Sequence, residues 1–136
     1  MSAAIDTNVL VRVLVQDPTA AAQCAAAKRV VAEASASGEP LFSTLCALLE
    51  TAWVLRSRYK VDRASMTAAV IAMLETPGIE LEHEPTLEEA LYLFAQHTSA
   101  DFADCLLVAR ATHLARDRFL TFDAGAAKLP RAELVQ

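Results

Sequence analysis

The chain is short of the residues that build thiolate metal sites and disulfide scaffolds. Its three cysteines, Cys24, Cys46 and Cys105, are scattered and odd in number, with no C-x-x-C spacing. That excludes a zinc cage and a disulfide framework, and leaves buried free thiols in a reducing cytoplasm as the plain reading. No apolar run approaches the ~18 residues that a membrane helix requires, so no membrane role is expected. The start of the chain lacks a basic stretch followed by an apolar core and a cleavage site. No secretory signal is read there, and a cytoplasmic location is expected. Basic charge is also in deficit. A net charge of −5 argues against nonspecific coating of nucleic acid, but it leaves a nuclease open, because bound metal offsets acids. No G-x-x-x-x-G-K-[ST] loop exists to cradle a nucleotide. His83, His97 and His113 fall on different elements, which disfavours a histidine general acid of the metal-free ribonuclease kind.

What is present fits one compact domain over residues 1–136. A chain of this length buries roughly two thirds of its unfolded surface, enough for a core without staples. Hydrophobic residues make up 54% of it, many of them alanine, which points to close helix packing. Residues 3 to 6 read as a first strand whose apolar run continues to Leu14. Asp17-Pro18-Thr19 marks a helix start, and Ser37-Gly38 its stop. Leu41-Phe42-Ser43 is a short extended piece, and Thr44 to Arg58 a helix that is apolar almost all round. A further helix begins at Val61-Asp62-Arg63 and ends near Thr76-Pro77-Gly78. Ile79 to Glu82 alternates with period two and reads as a strand near an edge. Thr86-Leu87-Glu88-Glu89 resembles a capping box opening a helix to His97. A last helix, Asp101 to Ala115, precedes a last strand, Arg118 to Asp123. Strands alternating with helices predict an α/β domain of three layers, with a central, mostly parallel sheet covered by helices on both faces.

Four acids stand in surroundings that ask for an explanation. Asp6 follows Ala4-Ile5 and precedes more apolar chain, at the C-terminal end of the first strand, where open α/β sheets place their ligands. Its structural alternative is a turn or cap at the strand end. Glu50 is the sole charge between Thr44 and Leu55. An unpaired carboxylate in such company is expected to be protonated, paired or metal-bound. Asp101 and Asp104 share one side of a helix start. Asp101 suits an N-cap and Asp104 a first-turn acid facing the helix dipole. Asp104 shares its face with Leu107, Val108 and Ala111 and is expected to look toward the sheet. Asp123 ends the last strand, or else serves the turn before Ala124-Gly125. A hard divalent cation would explain why mutually repelling carboxylates collect in one place.

These pieces resemble a PIN domain, and within that group the VapC-type toxins of toxin–antitoxin pairs. The matching stretches are Ile5-Asp6-Thr7-Asn8-Val9-Leu10, Leu49-Glu50-Thr51-Ala52-Trp53-Val54-Leu55, Asp101-Phe102-Ala103-Asp104-Cys105-Leu106-Leu107 and Leu120-Thr121-Phe122-Asp123. Cys105 stands where a smaller residue is more familiar. The resemblance implies a magnesium-dependent endoribonuclease, with manganese as a substitute. It makes Asp6, Glu50, Asp104 and Asp123 the acidic quartet. Asp6 and Asp104 would be the direct metal ligands, and Asn8 and Thr121 would steady the carboxylates by hydrogen bonds. Asp101 would be a cap or a supporting acid. It further implies a homodimer, an RNA substrate, a cognate antitoxin lying across the active face, and operator DNA bound only through that antitoxin.

Two other readings compete. A noncatalytic PIN-like interaction module is disfavoured by the full acidic set. An aspartate-dependent phosphoryl-transfer enzyme is disfavoured because the Asp-x-Asp pair has Asn8 in its second position. Two basic groups, Arg56, Arg58, Lys60 and Arg63, and Arg110, Arg116 and Arg118, are candidates for phosphate contact or are solvated faces. Leu48, Trp53, Val70, Ile71, Met73 and Leu74 are candidates for a dimer or antitoxin groove, or are ordinary core.

Overall fold

The computed structural model of the chain describes residues 2–136. The fold begins with a strand so short that it is little more than a lead into a helix. Strand β1 is Ala3–Ala4, and helix α1 follows at Thr7–Leu14. The expected extension of the strand toward Leu14 is therefore incorrect. Val9, Val11 and Val13 favour a strand locally, but Asp6 caps a helix and Thr7, Leu10 and Val11 are buried along one side of it. Burial on a helical period overrides weak β preference.

A single 3-10 turn, Pro18–Ala20, leads into α2, Ala21–Ser37. Asp17 caps that turn, accepting from the Thr19 N–H at 2.9 Å. Helix α2 buries Cys24, Ala27, Val31 and Ala34, and stops at Gly38 in the left-handed conformation. Strand β2 is Leu41–Ser43, α3 is Leu45–Ser57, α4 is Arg63–Glu75 and β3 is Ile79–Leu81. Thr44 and Asp62 cap α3 and α4 through their side-chain oxygens. The three strands form a parallel sheet in the order β1-β2-β3, with Ala3 opposite Leu41 and Leu41 opposite Ile79. The helices between successive strands supply the crossovers that parallel pairing needs. As expected, β3 lies at an edge of this sheet.

The sheet is tied to its helices at close quarters. Val31, Ala34 and Leu41 form a buried cluster with Ile5, Val13 and Ile79 against it. Gly78, at φ 93°, lies so close to α2 that an added Cβ would sit 2.5 Å from the Val31 carbonyl oxygen. Just past β3, the Glu82 carboxylate accepts from the Leu45 N–H at 2.7 Å, binding an otherwise open donor at the start of α3.

Contacts along the chain divide it into two compact units, Met1–Glu82 and His83–Gln136. The second contains α5, Glu84–Gln96, α6, Phe102–His113, and two parallel strands, β4, Phe119–Thr121, and β5, Ala132–Leu134. Helix α5 starts before the expected capping box. His83 takes a left-handed conformation at φ 53° and Pro85 stands in the first turn, so Thr86 is already inside the helix. Helices α5 and α6 pack together, with Phe94 edge-on to Phe102 at 5.6 Å. Helix α6 ends at His113, short of Ala115, which has φ 59°. Strand β4 ends at Thr121, so Asp123 lies beyond it, and β5 is the true last strand. Among the described residues, no helix is long and apolar enough to cross a membrane. Cys24 and Cys105 are buried thiols, but Cys46 is exposed, contrary to the expectation that all three are interior.

Candidate functional site

In the first unit, the capped end and one side of α1 face a side of α3. Asn8, Val11 and Arg12 are neighbours on α1 at helical spacing, and Glu50 and Val54 are neighbours on α3. With Asp6, Thr7, Arg58 and Tyr59 they line a pocket of about 230 Å³. Two of the expected acids, Asp6 and Glu50, and the expected supporting residue Asn8 therefore meet in one concavity.

Asp6 has a structural duty as well. Its Oδ1 accepts from the Thr7 N–H at 2.7 Å, which makes it the N-cap of α1. The cap engages one carboxylate oxygen and leaves Oδ2 to the pocket. Asp6 is exposed rather than embedded in apolar chain, because the residues after it turn into a helix.

Glu50 corrects the sequence reading more sharply. Helix α3 buries Ala47, Leu48, Thr51, Ala52 and Leu55, and Glu50 lies on the opposite, exposed side. Its neighbour one turn on, Trp53, is 64% exposed. The apolar residues around Glu50 in sequence are thus partly surface residues, and burial does not force a partner on the carboxylate. Among the described residues no hydrogen bond or ion pair holds Glu50, so its oxygens are open to the pocket.

The remaining acids belong to the second unit. Asp101 and Asp104 form a capping box at the start of α6, in which Asp104 Oδ2 accepts from the Asp101 N–H at 3.4 Å. The buried side of α6 is made of Phe102, Cys105, Leu106, Val108 and Ala109. Asp104 is only half-buried and Leu107 is exposed, so the face they share is not the fully interior one expected. Asp123 is exposed and organises a turn, where its Oδ1 accepts from the Gly125 N–H at 2.8 Å and the Ala126 N–H at 3.0 Å. Thr121 stands next to it, its hydroxyl oxygen accepting from the Asp123 N–H at 3.0 Å.

The sequence reading passed over several residues that shape the pocket. Arg12 is held in place by its neighbours. Its Nε donates to Gln23 Oε1 at 2.9 Å and its Nη1 to Tyr59 Oη at 2.9 Å. Tyr59 Oη in turn donates to Asp17 Oδ2 at 2.9 Å. The hydrogen bond to Tyr59 raises the Arg12 pKa above its ordinary value. Bonds from the Thr19 hydroxyl, the Tyr59 hydroxyl and the Thr19 N–H hold Asp17 below the usual carboxylate range. The direct ion pair, at 3.8 Å, is the lesser effect. Had α1 been read as a helix, Arg12 would have fallen on the same side as Asn8.

Two histidines expected on separate elements also come together. The buried Thr86 hydroxyl lies 2.7 Å from His83 Nδ1 and 3.0 Å from His113 Nδ1. The hydroxyl proton serves one ring, so the other ring donates its own Nδ1–H. Of the basic groups, Arg58 is exposed over the Tyr59 ring, whereas Arg118 is engaged by Glu133 at 2.7 and 3.1 Å. In the suggested groove, Leu48, Val70 and Met73 are buried core, and Trp53 and Ile71 are exposed.

The oxygen donors of the pocket are carboxylates, an amide and the Thr7 and Tyr59 hydroxyls, with no thiolate or imidazole. That chemistry fits a hard cation such as magnesium, which takes one or two carboxylates and keeps several waters. Among the described residues, no three His, Cys, Asp or Glu side chains are grouped to hold a metal ion by themselves. The fit therefore rests on a sparse set, Asp6 and Glu50 with Asn8 beside them.

The PIN domain family model matches residues 3–132. No curated protein matches the chain. The match covers nearly all of the sequence, and the chain belongs to the PIN domain family, with the α/β organisation and parallel strands that the sequence predicted.

Proposed function

We propose that this PIN-domain chain is a divalent-metal-dependent endoribonuclease, the toxin of a type II toxin–antitoxin pair. Membership of a family of nucleases supports hydrolysis of nucleic acid. The observation that carries the finer reading is the pocket in which Asp6, Asn8 and Glu50 meet the guanidinium groups of Arg12 and Arg58. Oxygen donors for a cation and cations for a phosphate in one concavity are what phosphodiester hydrolysis requires.

Magnesium, or manganese in its place, would be held by Asp6 with Asn8 and Glu50 nearby, and would polarise the phosphate and ease ionisation of water. The rest falls to the chain itself. Asp6 serves through Oδ2, because Oδ1 is bound to the helix end. The Glu50 carboxylate takes the proton of the attacking water as its oxygen bonds to phosphorus. The bond from phosphorus to the leaving ribose oxygen then breaks, and that oxygen is protonated from solvent. Arg12 and Arg58 offset the charge of the phosphate against the two acids. Asp104 and Asp123 are assigned to the same chemistry by their resemblance to the family pattern, and Asn8, Asp101 and Thr121 to its support.

The toxin assignment rests on the resemblance to VapC-type sequences, which also implies a homodimer and a cognate antitoxin. The test is cleavage of total RNA by the purified chain with magnesium, with manganese and with EDTA, beside the Glu50→Gln and Asp104→Asn variants. Cleavage that needs the metal and fails in both variants is expected. RNA left whole in both metals, or cut equally well in EDTA, would overturn the reading.

A further inference from the structure

The Arg12 guanidinium is more firmly held than a surface arginine on a helix has reason to be. Its side chain is 16% exposed, and that of Asp17 beneath it 12%. Gln23 takes Nε, while Tyr59 takes Nη1 and is itself anchored on Asp17. No hydrogen bond within the described residues uses Nη2, and that nitrogen is not sealed from solvent. Arg12 nevertheless lines the pocket that holds Asp6 and Glu50. The result is a fork with two nitrogens locked and a third without a hydrogen bond, on a side chain that lines the pocket of the acids and a second one beside it.

We propose that Arg12 is the phosphate-binding residue of this pocket, contacting a backbone phosphate of single-stranded RNA next to the acids. The proposal rests on the nuclease reading of the same pocket and names the group that receives the substrate. An incoming phosphodiester is repelled by Asp6 and Glu50, so a cation in the wall has to compensate. Arg58 also carries that charge, but it is exposed and must be ordered on binding. A long side chain loses up to about 2 kcal/mol of rotamer freedom when it is fixed. Arg12 has already been fixed by folding, through Gln23 and Tyr59. A planar guanidinium presents paired donors that match phosphate oxygens, whereas a lysine ammonium acts as a point charge. Tyr59 is thus a positioning residue, orienting Arg12 without touching RNA.

The test uses the full chain and a short fluorescein-labelled single-stranded RNA, with anisotropy read across a salt series in calcium buffer. Cleavage in magnesium and thermal melting are followed in parallel. Arg12→Gln is expected to weaken binding about tenfold and to flatten the dependence of log K on log salt by about 0.7, the loss of one single-strand phosphate contact. Arg12→Lys keeps the charge and is expected to keep the slope while binding several-fold more weakly. Tyr59→Phe is expected to raise Kd with the slope unchanged.

Arg12→Gln with wild-type affinity and slope, while wild type cleaves RNA, overturns the Arg12 assignment and leaves the nuclease intact. Wild type that neither binds nor cleaves RNA overturns both. Should Arg12→Gln melt before it can be measured, Arg12→Lys decides: wild-type affinity in that variant overturns the proposal.

Discussion

Asp6 carries two duties that a single substitution separates. As N-cap of α1 its Oδ1 accepts the Thr7 N–H at 2.7 Å, and as a pocket residue its Oδ2 is offered to chemistry. Asn caps a helix about as well as Asp does, through the same oxygen position. Asp6→Asn therefore forfeits mainly the attraction of a carboxylate for the helix dipole, about 0.3–1 kcal/mol. Asp6→Ala loses the cap outright, about 0.5–2 kcal/mol. For a chain of this size about 1 kcal/mol corresponds to roughly 3–5 °C in Tm, so the two variants should be resolved by melting. Activity should not follow that order. Both variants lack the charged oxygen, and both should lose RNA cleavage by at least about 100-fold, since even partners outside a metal's ligands cost 10–100-fold when removed. The assay is magnesium-dependent cleavage of a fluorogenic single-stranded RNA beside thermal and urea melts of each variant. Activity that tracked stability, with Asp6→Asn near wild type and Asp6→Ala impaired in proportion to its melting, would reduce Asp6 to a helix cap.

Three other perturbations test the surrounding structure. Asp17 is held below the usual carboxylate range in the folded chain by the Thr19 and Tyr59 hydroxyls and the Thr19 N–H. The stability it contributes is present above the unfolded carboxylate value and is lost as pH falls through the folded one. Tyr59→Phe should move the Asp17 titration upward by NMR, and an unmoved titration would refute the assigned cause. Gly78→Ala places a Cβ 2.5 Å from the Val31 carbonyl at φ 93°, contacts that neither backbone relieves cheaply. A urea midpoint falling by the equivalent of more than about 1 kcal/mol is expected, and an unchanged midpoint would refute the close approach of α2 to that turn. Thr86→Val keeps the shape of a buried residue but removes the hydroxyl between His83 and His113. It should lower stability by about 1–2 kcal/mol, read as a fall in the urea midpoint, and an unchanged midpoint would argue that the rings do not share that hydroxyl.

Much of this protein was decided by its sequence alone. Asp17-Pro18, Thr44, Asp62 and Asp101 mark helix starts because short polar side chains reach nearby N–H groups, and Gly38 marks a stop because it lacks a Cβ. The alternation of helices with short strands from α2 to β3 and their parallel pairing were legible in the same local terms. Long-range packing decided the rest. Valines that favour a strand became α1 because a helix there buries Thr7, Leu10 and Val11 together. The exposure of Glu50 depended on which side of a nearly all-apolar α3 found neighbours, and periodicity supplies no answer when apolar residues surround the helix. The start of α5 moved to Glu84 because Thr86 went inside, where its hydroxyl meets the nearby His83 and the distant His113. Arg12 shows the limit most plainly. Its partners Gln23 and Tyr59 lie 11 and 47 residues along the chain, and only folding brings them to Arg12 and brings Tyr59 to the pocket that Asp6 lines.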